Sequence, residues 1–292
     1  MSFLKTWLRR REFRRRIESA ARSEAPAVLI YQMGKVASST IHASLEAAGV
    51  EVFRVHVLDP KSVATACEQC RQTGRPVLKQ LEHSAAVYEK LVLPRHPLKV
   101  ITLVREPVGR NVSAYFQNLE EFWPGENPHE RVPMDELIRG FLEKFPHHAP
   151  LTWFDREFHK FLGIDVFAHP FPQDTGMGRI SAPPHEVLIL RVEMDDAVKG
   201  EALAKFLGLE RLAFVQKNVS SGKSYADAYR RFKTALRLPA SYVDEMLGSK
   251  YARHFYSDAE RARLREQWLK LERPTGAAAL EHAGLPPGSN GV

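Results

Sequence analysis

The chain has 292 residues, 44% of them apolar, and a formal net charge of +7. That apolar share supports a packed core and excludes a disordered chain, while no run reaches the ~20 apolar residues of a membrane span. The charge is local: residues 1–22 hold Lys5, Arg9, Arg10, Arg11, Arg14, Arg15, Arg16 and Arg22 against Glu12 and Glu18, a net +6. The nearly neutral remainder excludes a general nucleic-acid binder.

Residues 1–24 read as a basic amphipathic arm, with Phe3, Leu4, Trp7 and Leu8 at helical spacing among the arginines. This is the composition of a helix on an anionic membrane surface; the alternative is an arm whose few apolar residues dock on the body. Its charge does not fit a signal peptide. The expectation is a cytoplasmic protein, peripheral at the inner face of the membrane.

The body, residues 25–271, alternates short apolar runs with helical patterns. A strand over Val28–Tyr31 precedes a helix over Ser38–Ala48 that Gly49 ends. A second strand, Glu51–Val57, leads to a helix opened by Pro60. Cys67 and Cys70, spaced C-x-x-C within the helical stretch Ser62–Arg71, read as reduced cysteines, since no second pair completes a metal site. A third strand is expected over Val77–Leu81 and a buried one over Lys99–Val104, followed by a helix over Val108–Phe122. Residues 123–132 read as a loop. Helices are expected over Met134–Lys144 and Pro150–Leu162, and an irregular connection over 168–185. A strand over Glu186–Val192 and a helix over Asp196–Leu207 follow. The chain is helical to about Leu271, and residues 272–292 read as a disordered tail. This order predicts a single α/β domain: a P-loop-like, three-layer fold with a central, mostly parallel sheet flanked by helices, a helical C-terminal region, and sites at the carboxyl ends of the strands.

Two motifs carry chemistry. The stretch from Val28 to Ser44 joins a strand, the turn Gly34-Lys35 and a helix opened by Ser38, Ser39 and Thr40. Free N–H groups, the positive end of a helix dipole, a lysine and hydroxyls make an anion site. It is not a Walker loop: the upstream glycine is missing, and Val36 stands where Ser or Thr would hold Mg²⁺. A phosphate-like group bound without metal follows. The second motif is Val104-Arg105-Glu106-Pro107-Val108-Gly109-Arg110-Asn111-Val112-Ser113. A guanidinium at a strand end and a hydroxyl two helical turns later suit a dianionic phosphate.

Together these elements resemble the sulfotransferases that use 3′-phosphoadenosine 5′-phosphosulfate (PAPS). The resemblance implies a 5′-phosphosulfate site at Gly34, Lys35, Val36, Ala37, Ser38, Ser39 and Thr40. It implies a 3′-phosphate site at Arg105 and Ser113, and no metal. A weaker match is the stretch Leu188 to Asp195, similar to the strand with Arg-x-Glu-Asp in these enzymes but interrupted by Met194. The chain also resembles the capsular-polysaccharide-type bacterial branch through Asn218-Val219-Ser220 with Lys223, through Tyr229 and Phe232, and through Ser249-Lys250-Tyr251 and Phe255-Tyr256-Ser257. These likenesses span about residues 27–260 and imply sulfuryl transfer to an acceptor hydroxyl, of a carbohydrate or polysaccharide.

In such a reaction Lys35 offsets charge on the leaving oxygen, and a base takes the acceptor proton. His56, after the second strand, is the candidate base; its position resembles that of the histidine after the second strand in heparan-type 2-O-sulfotransferases. Glu82 and His83, at the end of the expected third strand, are rivals. His147 and His148 read as solvated loop residues, and Trp153, Phe154, Phe158 and Phe161 as core. Two other function classes remain: a membrane-surface binding protein on a degenerate nucleotide-binding fold, and a kinase or NTPase, which Val36 disfavours.

Overall fold

The computed structural model describes residues 3–72, 77, 79–215 and 224–270. A five-stranded sheet is built from β1 (Ala27–Tyr31), β2 (Val52–Val55), β3 (Leu98–Val104), β4 (Met177–Ala182) and β5 (His185–Arg191), in the order β2-β1-β3-β5-β4. All neighbours run parallel except β4 against β5. The mostly parallel sheet flanked by helices, and the helical C-terminal region, are as the sequence predicts.

Helix α1 (Phe3–Arg22) precedes β1, α2 (Ser38–Ala47) joins β1 to β2, and α3 (Pro60–Gln72) and α4 (Lys79–Val87) join β2 to β3. A π-helical turn over Tyr88–Val92 extends α4. After β3 come α5 (Pro107–Gln117), α6 (Leu119–Phe122), α7 (Pro128–Arg131), α8 (Met134–Lys144) and α9 (Ala149–Trp153), the last running into a π-helix over Phe154–Leu162. Helix α10 (Asp196–Leu207) follows β5, and α11 (Ala226–Ala235), α12 (Ala240–Gly248), α13 (Lys250–Phe255) and α14 (Asp258–Lys270) complete the described chain.

Strand parity assigns helices to both faces of the sheet. Lys99 on β3 donates to the Phe206 carbonyl of α10 at 2.8 Å. Tyr31, on the other face, stacks on Phe158, 5.1 Å between ring centroids. A second apolar cluster joins α5 to the C-terminal helices through Val112, Tyr115, Phe116, Phe141, Phe232, Met246 and Trp268. Trp153, Phe154 and Phe158 are core, as expected.

Three expectations change. The third strand expected over Val77–Leu81 is not one: Lys79 begins α4, which packs along β2 and α1. A short apolar run fits strand or buried helix equally, and the neighbours decide. The irregular stretch expected over 168–185 contains β4, which pairs antiparallel with β5. Its Gly178 is a packing residue rather than a turn, because a Cβ there would lie 2.9 Å from the Phe171 ring. The loop expected over 123–132 contains the one-turn helix α7. Asn218, Val219, Ser220, Lys223 and the tail 272–292 lie outside the described residues.

Helix α1 docks one face on the body. Ile17 is buried at 2% exposure, and the Phe13 ring stacks on His83 and meets Phe53 edge-on. No helix among the described residues is long and apolar enough to cross a membrane.

Candidate anion site at the sheet switch point

The chain leaves β1 toward β2 on one side and later returns as β3 on the other. The carboxyl ends of β1 and β3 therefore flank a topological switch point, where open α/β sheets bind ligands. Both sequence motifs emerge there.

The loop after β1 is held in an unusual conformation. Lys35 has φ 77° and Ala37 φ 58°, both left-handed although neither residue is glycine. Such backbone costs on the order of 1–3 kcal/mol per residue and gathers at functional sites. Ala37 occupies the N-cap of α2 and offers no capping side chain, so the first turn keeps N–H groups for another acceptor. Val36 is fully buried in the core, so its side chain points away from any ligand. A Cβ on Gly34 would meet nothing within 4 Å, leaving the backbone open to close approach.

Cationic groups ring this loop. Arg105 Nη1 donates to the Lys35 carbonyl at 3.3 Å, and Arg110 Nε to the Gly34 carbonyl at 3.2 Å. In a trans peptide the N–H points opposite the carbonyl. The two guanidiniums therefore turn the N–H groups of Lys35 and Val36 away from themselves. Lys35 Nζ is held by Gln117 Oε1 at 2.5 Å, a neutral acceptor that orients the ammonium without cancelling its charge. Arg54 donates to the Ser39 hydroxyl at 3.2 Å. Burial lowers the pKa of Arg54, and lowers that of Arg110 to about 10. Ser38 is buried, and Thr40 and Ser113 are half-buried.

Arg105 is fixed by its neighbours. The buried Tyr251 hydroxyl accepts from the Arg105 N–H at 3.2 Å and donates to the Arg105 carbonyl at 2.9 Å. Glu106 caps α5, accepting from Val108 N at 2.9 Å and Gly109 N at 2.6 Å. Burial raises the Glu106 pKa to about 7, against the opposing pull of Arg105. Only glycine fits at 109, since a Cβ there would lie 2.1 Å from Glu106 Oε1. The Arg-x-Glu-x-Asp stretch that begins at the last residue of β5 supports this turn through Glu193. Glu193 accepts from Glu106 N and from the Tyr256 hydroxyl, Arg191 pairs with Glu260 at 2.8 Å, and Asp195 caps α10.

His56 lies on the same rim. Its Nδ1 is 2.9 Å from the Gln32 carbonyl, which can only accept. The neutral ring thus carries its proton on Nδ1 and keeps the Nε2 lone pair. Burial foremost, then Arg54 and Arg110, holds its pKa below the ordinary histidine value, opposed by the Gln32 bond. The loop bearing it is pinned twice more: Trp153 Nε1 donates to the His56 carbonyl at 3.0 Å, and Glu157 accepts from Leu58 N at 2.7 Å.

The rivals are placed differently. Glu82 and His83 belong to α4, not to a strand end; Glu82 pairs with Arg10, and both line a groove against α1. His147 is not a solvated loop residue: it bonds the Phe141 carbonyl and the Tyr242 hydroxyl, and only His148 is exposed. Cys67 and Cys70 lie on α3 and are not joined in a disulfide. Sequence reasoning gave no role to Arg110 or Gln117. A charged or amide side chain about one and about three turns after Arg105 was the available signal.

Residues 135–257 match the family NKWYS, described as "Putative capsular polysaccharide synthesis protein". The matched segment holds β5 and the tyrosines Tyr251 and Tyr256 that support Arg105 and Glu106; the loop after β1 and Arg105–Ser113 lie outside it. Among curated proteins and among solved structures, nothing matches.

Proposed function

We propose that the protein is a PAPS-dependent sulfotransferase that acts on a carbohydrate hydroxyl. The observation that carries this reading is the loop at the switch point. Its two left-handed residues and uncapped helix start form an anion cradle beside Lys35, with Val36 buried where a magnesium ligand would stand. The match to a capsular polysaccharide synthesis family supports a carbohydrate acceptor.

The residues fit two anionic groups. The N–H groups of Lys35 to Ser39, with the hydroxyls of Ser38, Ser39 and Thr40, suit the 5′-phosphosulfate, while the Thr40 N–H donates to the Ala37 carbonyl. Arg105 and Ser113 suit the 3′-phosphate. Arg105 uses one donor on the Lys35 carbonyl and has others left for a phosphate.

PAPS supplies the sulfuryl group: the bond from sulfur to the bridging phosphate oxygen breaks, and a bond from sulfur to the acceptor oxygen forms. Lys35 offsets the charge left on the bridging oxygen. His56 Nε2 takes the acceptor proton, and the Gln32 carbonyl holds the tautomer that makes this nitrogen available. The lowered pKa keeps the ring neutral near pH 7.

Incubation with radiolabelled PAPS and a panel of polysaccharides, in EDTA, tests the reading. Label moving to carbohydrate is the expected result. Strict dependence on Mg²⁺, or no transfer to any hydroxyl acceptor, overturns it.

A further inference from the structure

Helix α1 has two unlike faces. The inward face is consumed by the body: Phe13 and Ile17 pack, Arg10 pairs with Glu82, and Arg16 pairs with Glu51. The outward face carries Trp7, Leu8, Arg11 and Arg15, all exposed, at positions i, i+1, i+4 and i+8. Trp7 and Leu8 are 48% and 49% exposed, the only sequence neighbours among the large exposed apolar residues described. The Arg11 guanidinium lies over the Trp7 ring at 5.4 Å. Arg9, Arg11, Arg14 and Arg15 have no carboxylate partner among the described residues.

The helix also has a direction. Arg16 bonds the Val52 carbonyl at 3.3 Å, and Phe13 meets Phe53 one residue further along β2. Moving back along α1 thus moves toward the carboxyl end of the sheet. Trp7 lies nine residues before Arg16, about 14 Å along a helix, and His56 lies four residues after Val52, about 13 Å along a strand. The early turns of α1 come level with the rim that carries the anion loop.

We propose that this stripe docks the protein on an anionic lipid bilayer, with the carboxyl rim of the sheet at the lipid surface. Adjacent Trp and Leu within a field of unpaired arginines are the composition of an interfacial helix. A phosphate backbone would use the arginines but gives the Trp-Leu pair nothing to bury. A second copy would set the same positive stripe against itself across a two-fold axis. The docking is independent of the chemistry at the rim.

Flotation of the full chain with phosphatidylcholine vesicles, with and without phosphatidylglycerol, tests this. Binding is expected only with the anionic lipid, and it weakens as salt rises. Arg11→Gln/Arg15→Gln should lower the partition coefficient on the order of thirtyfold, from two lost surface charges. Trp7→Ser/Leu8→Ser should lower it about tenfold through lost apolar burial. Both variants alter exposed side chains and should keep the parent melting temperature. Equal binding to neutral vesicles, no binding at all, or variants that float like the parent would overturn the proposal. So would retention on DNA in place of vesicles, or a dimer in sedimentation velocity that Trp7→Ser/Leu8→Ser dissociates.

Discussion

Replacing Gly109 by alanine tests the support of Arg105 without touching a ligand-binding group. The new Cβ would lie 2.1 Å from Glu106 Oε1, and Trp268 Cζ2 sits at 3.3 Å. The carboxylate must retreat by about 1 Å, which carries Oε1 from 2.6 Å to beyond hydrogen-bond range of Gly109 N. Loss of a cap costs about 1–2 kcal/mol. A buried carboxylate left short of a donor adds about 1–3 kcal/mol. Alanine in place of glycine in a helix returns about 0.5–1 kcal/mol. The net is a destabilisation of about 2–3 kcal/mol, or a fall of about 5–10 °C in melting temperature for a domain of this size. Calorimetry at pH 8, where the Glu106 carboxyl is ionised, measures it. In a Glu106→Ala background the same substitution should be close to neutral, since the clash is gone; the cycle isolates the contact. A Gly109→Ala protein as stable as the parent, or an equal penalty in both backgrounds, would refute the reasoning.

Other expectations follow from the rim. Lys35→Ala should lower turnover about 10²–10³-fold, the usual loss of a charge-stabilising donor, in single-turnover sulfuryl transfer; unchanged turnover removes Lys35 from the chemistry. His56→Ala should lower turnover about 10²–10⁴-fold with affinity for 3′,5′-ADP retained. In the parent, activity should rise with pH through a midpoint below about 6.5, because the base form is required and the His56 pKa is lowered. Arg54→Met removes a nearby positive charge, raises that pKa and moves the limb to higher pH; a limb that stays put assigns it to another group. Arg105→Ala should weaken 3′,5′-ADP about 10–150-fold in calorimetry, the loss of a charged hydrogen-bonding partner, and weaken 5′-AMP less, through the lost bond to the Lys35 carbonyl alone. An equal loss for both nucleotides would place Arg105 away from the 3′-phosphate.

The parallel strands and the loop after β1 are legible because their signals are local. Val28–Tyr31 and Lys99–Val104 are apolar runs bounded by turn residues, and Gly34-Lys35 sits directly after the first. What escaped depends on distant partners. Lys79 to Leu81 joined a helix because β2 and α1 supply an apolar surface there, which no window of five residues reveals. Gly176 and Gly178 read as loop, yet Gly178 lies in a strand and makes room for the Phe171 ring. Arg110 and Gln117 gained roles because a loop 76 and 82 residues earlier folds onto α5. Glu82 and His83 lost their place at a strand end when that strand proved helical, whereas His56 kept its position on the rim because β2 was read correctly.

In the proposed function, the cradle after β1 and Arg105 together bind a nucleotide bearing 5′ and 3′ phosphates, without metal. Calorimetric titration of the full chain with 3′,5′-ADP in EDTA tests it most directly. One site per chain is expected, with affinity unchanged on adding Mg²⁺ and reduced by Lys35→Ala and by Arg105→Ala. Absence of binding, or binding that appears only with Mg²⁺, would contradict it.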